Sequence, residues 1–159
     1  MTKIAVISDT HVPEYGNLPS TLLKDLEKMD AIIHLGDFCN TQTYMDFQKT
    51  APVVAVFGNC DCDELKAQLP EKKKIEIDGF NLGIIHGWGP RKNLEKRVAQ
   101  VFTGVDIILF GHSHVPMWAI VEDIPLFNPG SVSMNVQGPG SYGILELGDT
   151  IEHRFILLD

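Results

Sequence analysis

Apolar residues come in short runs along this chain, and the spacing within each run separates strands from helices. Ile4-Ala5-Val6-Ile7 is continuous, as in a strand buried on both faces. Pro19 and Ser20 then open a stretch in which Leu22, Leu23, Leu26 and Met29 recur at helical spacing. Residues 31–35 predict a second strand, 41–49 a short helix and 52–57 a third strand. Asp78-Gly79 suits a tight type I′ turn, so residues 74–77 and 80–85 predict a hairpin. A helix over 91–102 carries Leu94, Val98 and Val101 on one side, and 106–110 is another buried strand. Short strands follow near 117–121, Leu126, 141–147 and 151–158, with Gly148-Asp149 turning the last pair.

This order, βαβαβ and then mostly antiparallel strands, predicts two packed sheets flanked by helices. The 159 residues contain no repeat, linker or low-complexity segment, so one domain over residues 1–159 is expected. Hydrophobic residues make up 44% and charged residues 21%, which fits a globular chain. No apolar run approaches the roughly 20 residues of a membrane span, and Met1-Thr2-Lys3 leads straight into a strand. A cytoplasmic protein with no membrane partner is therefore expected. The formal charge of −8 repels polyphosphate backbones and disfavours general nucleic-acid binding. Cys39, Cys60 and Cys62 are too few for a disulfide framework, and Cys60-x-Cys62 lacks the second thiolate pair of a structural zinc site.

The chemistry gathers where strands end. Asp9-Thr10-His11 follows the first strand, Gly36-Asp37 the second and Gly58-Asn59 the third. His86-Gly87 follows the hairpin, and Gly111-His112-Ser113-His114 follows the strand at 106–110. Strand ends in open α/β sheets share a crevice, so these side chains can meet there. Carboxylate, imidazole and amide oxygen suit a hard-to-borderline dication. Seven candidates (Asp9, His11, Asp37, Asn59, His86, His112 and His114) are too many for one tetrahedral zinc and suit two ions sharing a carboxylate. Two ions about 3.5–4 Å apart can acidify a water and clamp a phosphoryl group.

These five blocks, in this order, resemble the calcineurin-like metallophosphoesterases, and Asn128-Pro129-Gly130-Ser131 resembles a further block of the small single-domain phosphodiesterase branch. The resemblance implies a four-layer α/β sandwich of two mixed sheets flanked by helices, binding two divalent ions. Manganese is the first expectation, with iron, nickel or zinc as alternatives. One ion would take Asp9, His11, Asp37 and His114. The other would take Asp37, Asn59, His86 and His112, so that Asp37 bridges. The activity implied is in-line attack on a small phosphoester by a metal-bridging hydroxide, on diesters more than monoesters. Asp37, Asn59, Cys60 and Asp61 would stand at the catalytic centre.

Two positions depart from the family pattern. Where many members carry His after Gly-Asn, this chain has Cys60, so leaving-group protonation should be weaker and acidic, aryl-type leaving groups should react best. Where some carry His-Gly-His, it has His86-Gly87-Trp88, and Trp88 is expected as an apolar wall beside the cleft. The fold also resembles the retromer-type scaffold subunit, so a catalytically weak scaffold or protein-interaction module is the alternative. A homodimer or higher homo-oligomer is compatible with either.

Taken singly, every motif has an ordinary structural explanation, because Asp-x-His can cap a turn and Gly-Asp is a common turn dipeptide. Their joint occurrence at five strand ends favours the metal centre. His34 reads as a structural histidine with a local hydrogen bond, and His153 as a surface or sheet residue. Cys39 reads as a small loop residue, Cys62 as a half-buried thiol, and Met117 and Trp118 as packing. Arg91 and Lys92 are expected to cap a solvated helix face more than to reach a phosphate. Asp61 and Asn128 are candidates for orienting the imidazoles.

Overall fold

The computed structural model describes residues 1–158. Its elements run β1 (Thr2–Ile7), α1 (Ser20–Leu26), β2 (Ala31–His34), α2 (Thr41–Thr50), β3 (Val53–Ala55) and α3 (Asp63–Gln68). Next come β4 (Lys72–Ile77), β5 (Phe80–Ile85), α4 (Leu94–Ala99) and β6 (Ile107–Phe110). The last four are β7 (Met117–Val121), β8 (Ile124–Asn128), β9 (Ser141–Leu147) and β10 (Ile151–Leu157).

The strands form two mixed five-stranded sheets, in the orders β10-β9-β1-β2-β3 and β4-β5-β6-β8-β7. β1, β2 and β3 are parallel, whereas β9 runs against both β1 and β10. In the second sheet β5, β6 and β8 are parallel, between antiparallel edges β4 and β7.

Side-chain alternation explains why the central strands are apolar without interruption. Ile4 and Val6 of β1 pack between the sheets with Ile33, Leu82, Ile84, Ile107 and Leu109. Ala5 and Ile7 face outward, onto Leu22 and Leu26 of α1, Phe47 of α2 and Leu65 of α3. On the far side Ile85, Ile108 and Phe110 pack on Leu94 and Val98 of α4. The layers are therefore helices, sheet, sheet, helix. Truncating a fully buried residue of the central layer, such as Ile84→Ala, removes about 2–5 kcal/mol.

Several elements differ from the sequence-based expectation. The helix expected over 91–102 shortens to α4, because Asn93 before it adopts φ +61°. α3 was not anticipated: Leu65 is its only buried residue, too little for an apolar period, and Asp63 and Glu64 in its first turn are its main local signal. The strand around Leu126 pairs with β7 through Glu122-Asp123, both at positive φ (+51° and +67°), without the Asn or Gly that announces such a turn. Asp78-Gly79 behaves as expected, at φ +51° and +83°. No helix among the described residues is long and apolar enough to cross a membrane. Trp118 on β7 stacks at 3.8 Å on His153 of β10, joining an edge of each sheet.

A candidate metal centre at the strand ends

Both sheets deliver their chemistry to one crevice. Within each sheet the parallel strands, β1–β2–β3 and β5–β6–β8, end on the same edge, and each is followed by one of the expected blocks. The loops turn sharply there. Asp9, His11, Asp37, His112 and His114 all have left-handed φ values, between +44° and +71°. Such a conformation costs a residue with a Cβ roughly 1–2 kcal/mol, so side chains stand where glycine would be easier. The blocks also touch through glycine. A Cβ on Gly36, itself at φ +101°, would lie 2.6 Å from the Gly58 nitrogen, and one on Gly58 would collide with the Asp37 carboxylate.

Asp9 Oδ1, Asp37 Oδ2 and three imidazole nitrogens converge. His11 Nε2 lies 3.4 Å from each of these two oxygens. His86 Nε2 is 3.4 Å from Asp37 Oδ2 and 3.9 Å from Asp9 Oδ1, and His114 Nε2 is 3.2 Å from Asp9 Oδ1. Asn59 Oδ1 lies 3.1 Å from His86 Nε2. Cys60 Sγ, His11 and Asp37 also have ligand atoms within 4.8 Å of one another.

His112 is the exception among the seven expected residues. Its Nε2 donates to the Gly89 carbonyl at 2.9 Å, and its ring sits 5.2 Å from that of His86. A carbonyl only accepts, so Nε2 carries the proton and Nδ1 holds the lone pair. The same logic orients His86, whose Nδ1 donates to Leu35 O at 2.7 Å and turns Nε2 towards the carboxylates. Two carboxylates, an amide oxygen and the imidazole nitrogens thus face one another across one crevice.

Asp9 Oδ1 and His11 Nε2 are buried and have no aligned hydrogen-bond partner among the described residues. Orphaned polar atoms are costly, and a dication is the species that satisfies this donor set. The residues fit a metal.

Sequence profiles give the same answer. The profile of the calcineurin-like phosphoesterase superfamily domain matches residues 2–150. The chain belongs to this superfamily. Among its members, the probable metallophosphoesterase MJ0623 of Methanocaldococcus jannaschii is 33% identical, over 98% of this chain and 81% of its own. Phosphodiesterase MJ0936 of the same organism is 27% identical over 99% of both. The structure of wild-type Vps29 of Entamoeba histolytica complexed with zinc superposes with TM-score 0.73 at 25% identity, covering 98% of this chain and 99% of Vps29.

Charge in the calcineurin-like site follows from this crowding. Burial works against the Asp9 carboxylate, yet His11, His114, His86 and Ser8 together hold its pKa well below the usual value. His11 is raised, first by its Asp9 partner. His86 is raised too: burial pulls it down, but Asp37 and Asp9 more than compensate. Burial and then Asp37 raise the Cys60 thiol, so it stays protonated at neutral pH.

The supporting residues are partly unexpected. Asp61 and Asn128 do not orient imidazoles. Asp61 accepts the backbone N–H groups of Asp37, Cys39 and Gly58 at 2.7–2.9 Å. Asn128 donates to Gly111 O and Ser113 Oγ and accepts from Gly130 N. Both residues hold loops. The imidazoles are set instead by the Leu35 and Gly89 carbonyls, and by Cys39, whose Sγ lies 3.4 Å from His11 Nδ1. Burial, then Asp37 and Asp61, push that thiol up to about 11, so Cys39 does more than fill a loop. Ser8 donates to Asp9 Oδ2 at 2.6 Å, turning Oδ1 into the crevice.

Arg91 corrects an expectation. It does not cap α4; its Nε donates at 2.6 Å to the carbonyl of Ser113, between His112 and His114. Nothing in its sequence context marks that reach. His34 is structural as expected, accepting from Gly36 N at Nδ1 and bonded to Thr10 Oγ1 at Nε2.

Proposed function

We propose that residues 1–159 act as one metallophosphoesterase domain, a binuclear metal-dependent phosphodiesterase. Asp9, His11, Asp37 and His114 would hold one ion, and Asp37, Asn59, His86 and His112 the other, with Asp37 shared. Manganese is the first candidate, and iron, nickel or zinc fit the same donors. Two such ions supply an acidified water and positive charge against the phosphoryl oxygens of a small phosphoester. The observation that carries this reading is the orphaned pair Asp9 Oδ1 and His11 Nε2, facing a second carboxylate and two further imidazoles in one crevice. The full-length likeness to a phosphodiesterase favours diesters over monoesters.

The chain's own residues divide the remaining work. Asp61 and Asn128 fix the loops, and the Leu35 and Gly89 carbonyls fix imidazole tautomers. Cys60, whose backbone N–H donates to Asp37 Oδ1 at 2.8 Å, stands at the crevice with its thiol as a weak proton donor to a leaving group. Likeness to Vps29 favours one rival, a protein-contact module on the same fold.

The deciding experiment is hydrolysis of an aryl phosphodiester and its monoester by protein stripped of metal and reloaded with manganese, with Asp37→Ala as control. Metal-dependent turnover of the diester, lost in the variant, is expected. No turnover with two ions bound per chain would favour the contact module.

A further inference from the structure

Beside the proposed metal ligands lies a cleft that the family's metal chemistry does not require. Asn59 and His86 line it together with Phe57, Ile85 and Trp88, and its one carboxylate is Glu71. Its volume is about 150 Å³, the size at which a protein cavity admits a benzene ring. Trp88 is 44% exposed, an unusual position for so large an apolar surface.

Trp88 is also held in place. It lies between Gly87 and Gly89, both at positive φ (+108° and +77°). Arg97 donates to the carbonyls of Trp88 and Lys92 at 2.6 and 2.9 Å, and also to that of Pro90. The Arg97 guanidinium carbon lies 5.9 Å from the indole centroid. A loop held in this way presents the indole without having to be ordered first when a ligand packs on it.

Asn59 and His86 belong both to the proposed ligand set and to the cleft. A phosphorus centre held by the ions would therefore direct one substituent along Trp88. We propose that this cleft is a subsite for a planar aromatic ring carried by the phosphodiester, packed against the Trp88 indole. The proposal rests on the phosphoesterase reading above and narrows its substrate class.

The chain has two tryptophans, so Trp118→Phe leaves Trp88 as the only indole reporter. Metal-loaded Trp118→Phe protein would be titrated with phenylphosphonate and with methylphosphonate, following fluorescence. Phenylphosphonate should bind about tenfold tighter, a modest value for aromatic stacking, and should perturb Trp88 emission. In calorimetry, Trp88→Ala should bind both ligands alike with unchanged metal content, and Trp88→Phe should keep most of the preference. Equal affinities with Trp88 intact, or a phenyl preference surviving Trp88→Ala, would overturn the subsite and leave the phosphoesterase reading standing. Binding of neither phosphonate would remove that reading and the subsite with it.

Discussion

Asp61 and Asp37 lock two loops to each other: Asp61 Oδ2 accepts the Asp37 N–H at 2.9 Å, and Asp37 Oδ1 accepts the N–H of Cys60, next to Asp61, at 2.8 Å. The carboxylate proposed to bridge two ions is thus positioned by a second carboxylate that need touch neither.

Removing Asp61 should therefore damage stability and metal binding together. Asp61→Ala leaves the N–H groups of Asp37, Cys39 and Gly58 unpaired, in a spot where Asp61 itself is 5% exposed. Each orphaned donor costs roughly 1–3 kcal/mol. Thermal melts should show Tm lower by several degrees, and metal titrations a weakened site. An unchanged Tm would mean that water replaces the carboxylate without cost.

Acidity should act in opposite directions on the loaded and stripped forms. His11 and His86 have pKa values raised above 6.5 in the metal-free fold. A group raised on folding stabilises below its unfolded pKa and loses that contribution as pH rises through its folded pKa. These two histidines thus make the stripped protein gain stability as pH falls through their raised pKa values towards 6.5. Metal must displace the same protons, so ion affinity falls over that window, by up to about tenfold per unit for each protonated histidine. Asp9, held low, stays ionised and adds no competition. Melts with and without manganese should converge as pH falls, whereas a constant gap would show that neither histidine binds metal.

Much of this centre is legible in the sequence because metal-binding residue types recur where apolar runs stop. Asp9, Asp37 and His86 were placed by that rule and do converge. What the rule could not reach is conformation. Left-handed φ at His112 and His114 is uncommon for any residue with a Cβ, and nothing local announces that His112 would turn Nε2 towards Gly89. Contacts between distant segments were equally hidden. Asp61 reads in the sequence as a candidate for orienting the imidazoles, yet it spends both oxygens on backbone. α3 escaped because one buried leucine makes no period.

Cys60 sets a limit on leaving groups. A thiol pushed above its ordinary value donates protons poorly, so aryl diesters should outrun alkyl diesters by a wide margin. Cys60→Ala should leave metal content unchanged and slow the alkyl esters further, with little effect on aryl ones. Comparable rates on alkyl and aryl esters by the unmodified protein would exclude this role for the thiol.

Arg91 offers the last test, because its position was found only in the fold. Its Nε holds the Ser113 carbonyl at 2.6 Å, placing a guanidinium beside the loop that carries His112 and His114. Asp9 and Asp37 put two carboxylates in the crevice, and a phosphodiester anion entering it meets repulsion wherever the ions do not cover them. A guanidinium at that edge offers paired donors to the non-bridging oxygens. Arg91→Ala should raise KM for the diester about tenfold, corresponding to the loss of roughly 1.5 kcal/mol from a charged hydrogen bond, and should leave metal content intact. Arg91→Lys should recover only part, because an ammonium cannot pair two oxygens in one plane. If kcat falls while KM is unchanged, Arg91 acts through the Ser113 loop on the geometry of the histidines and does not bind substrate.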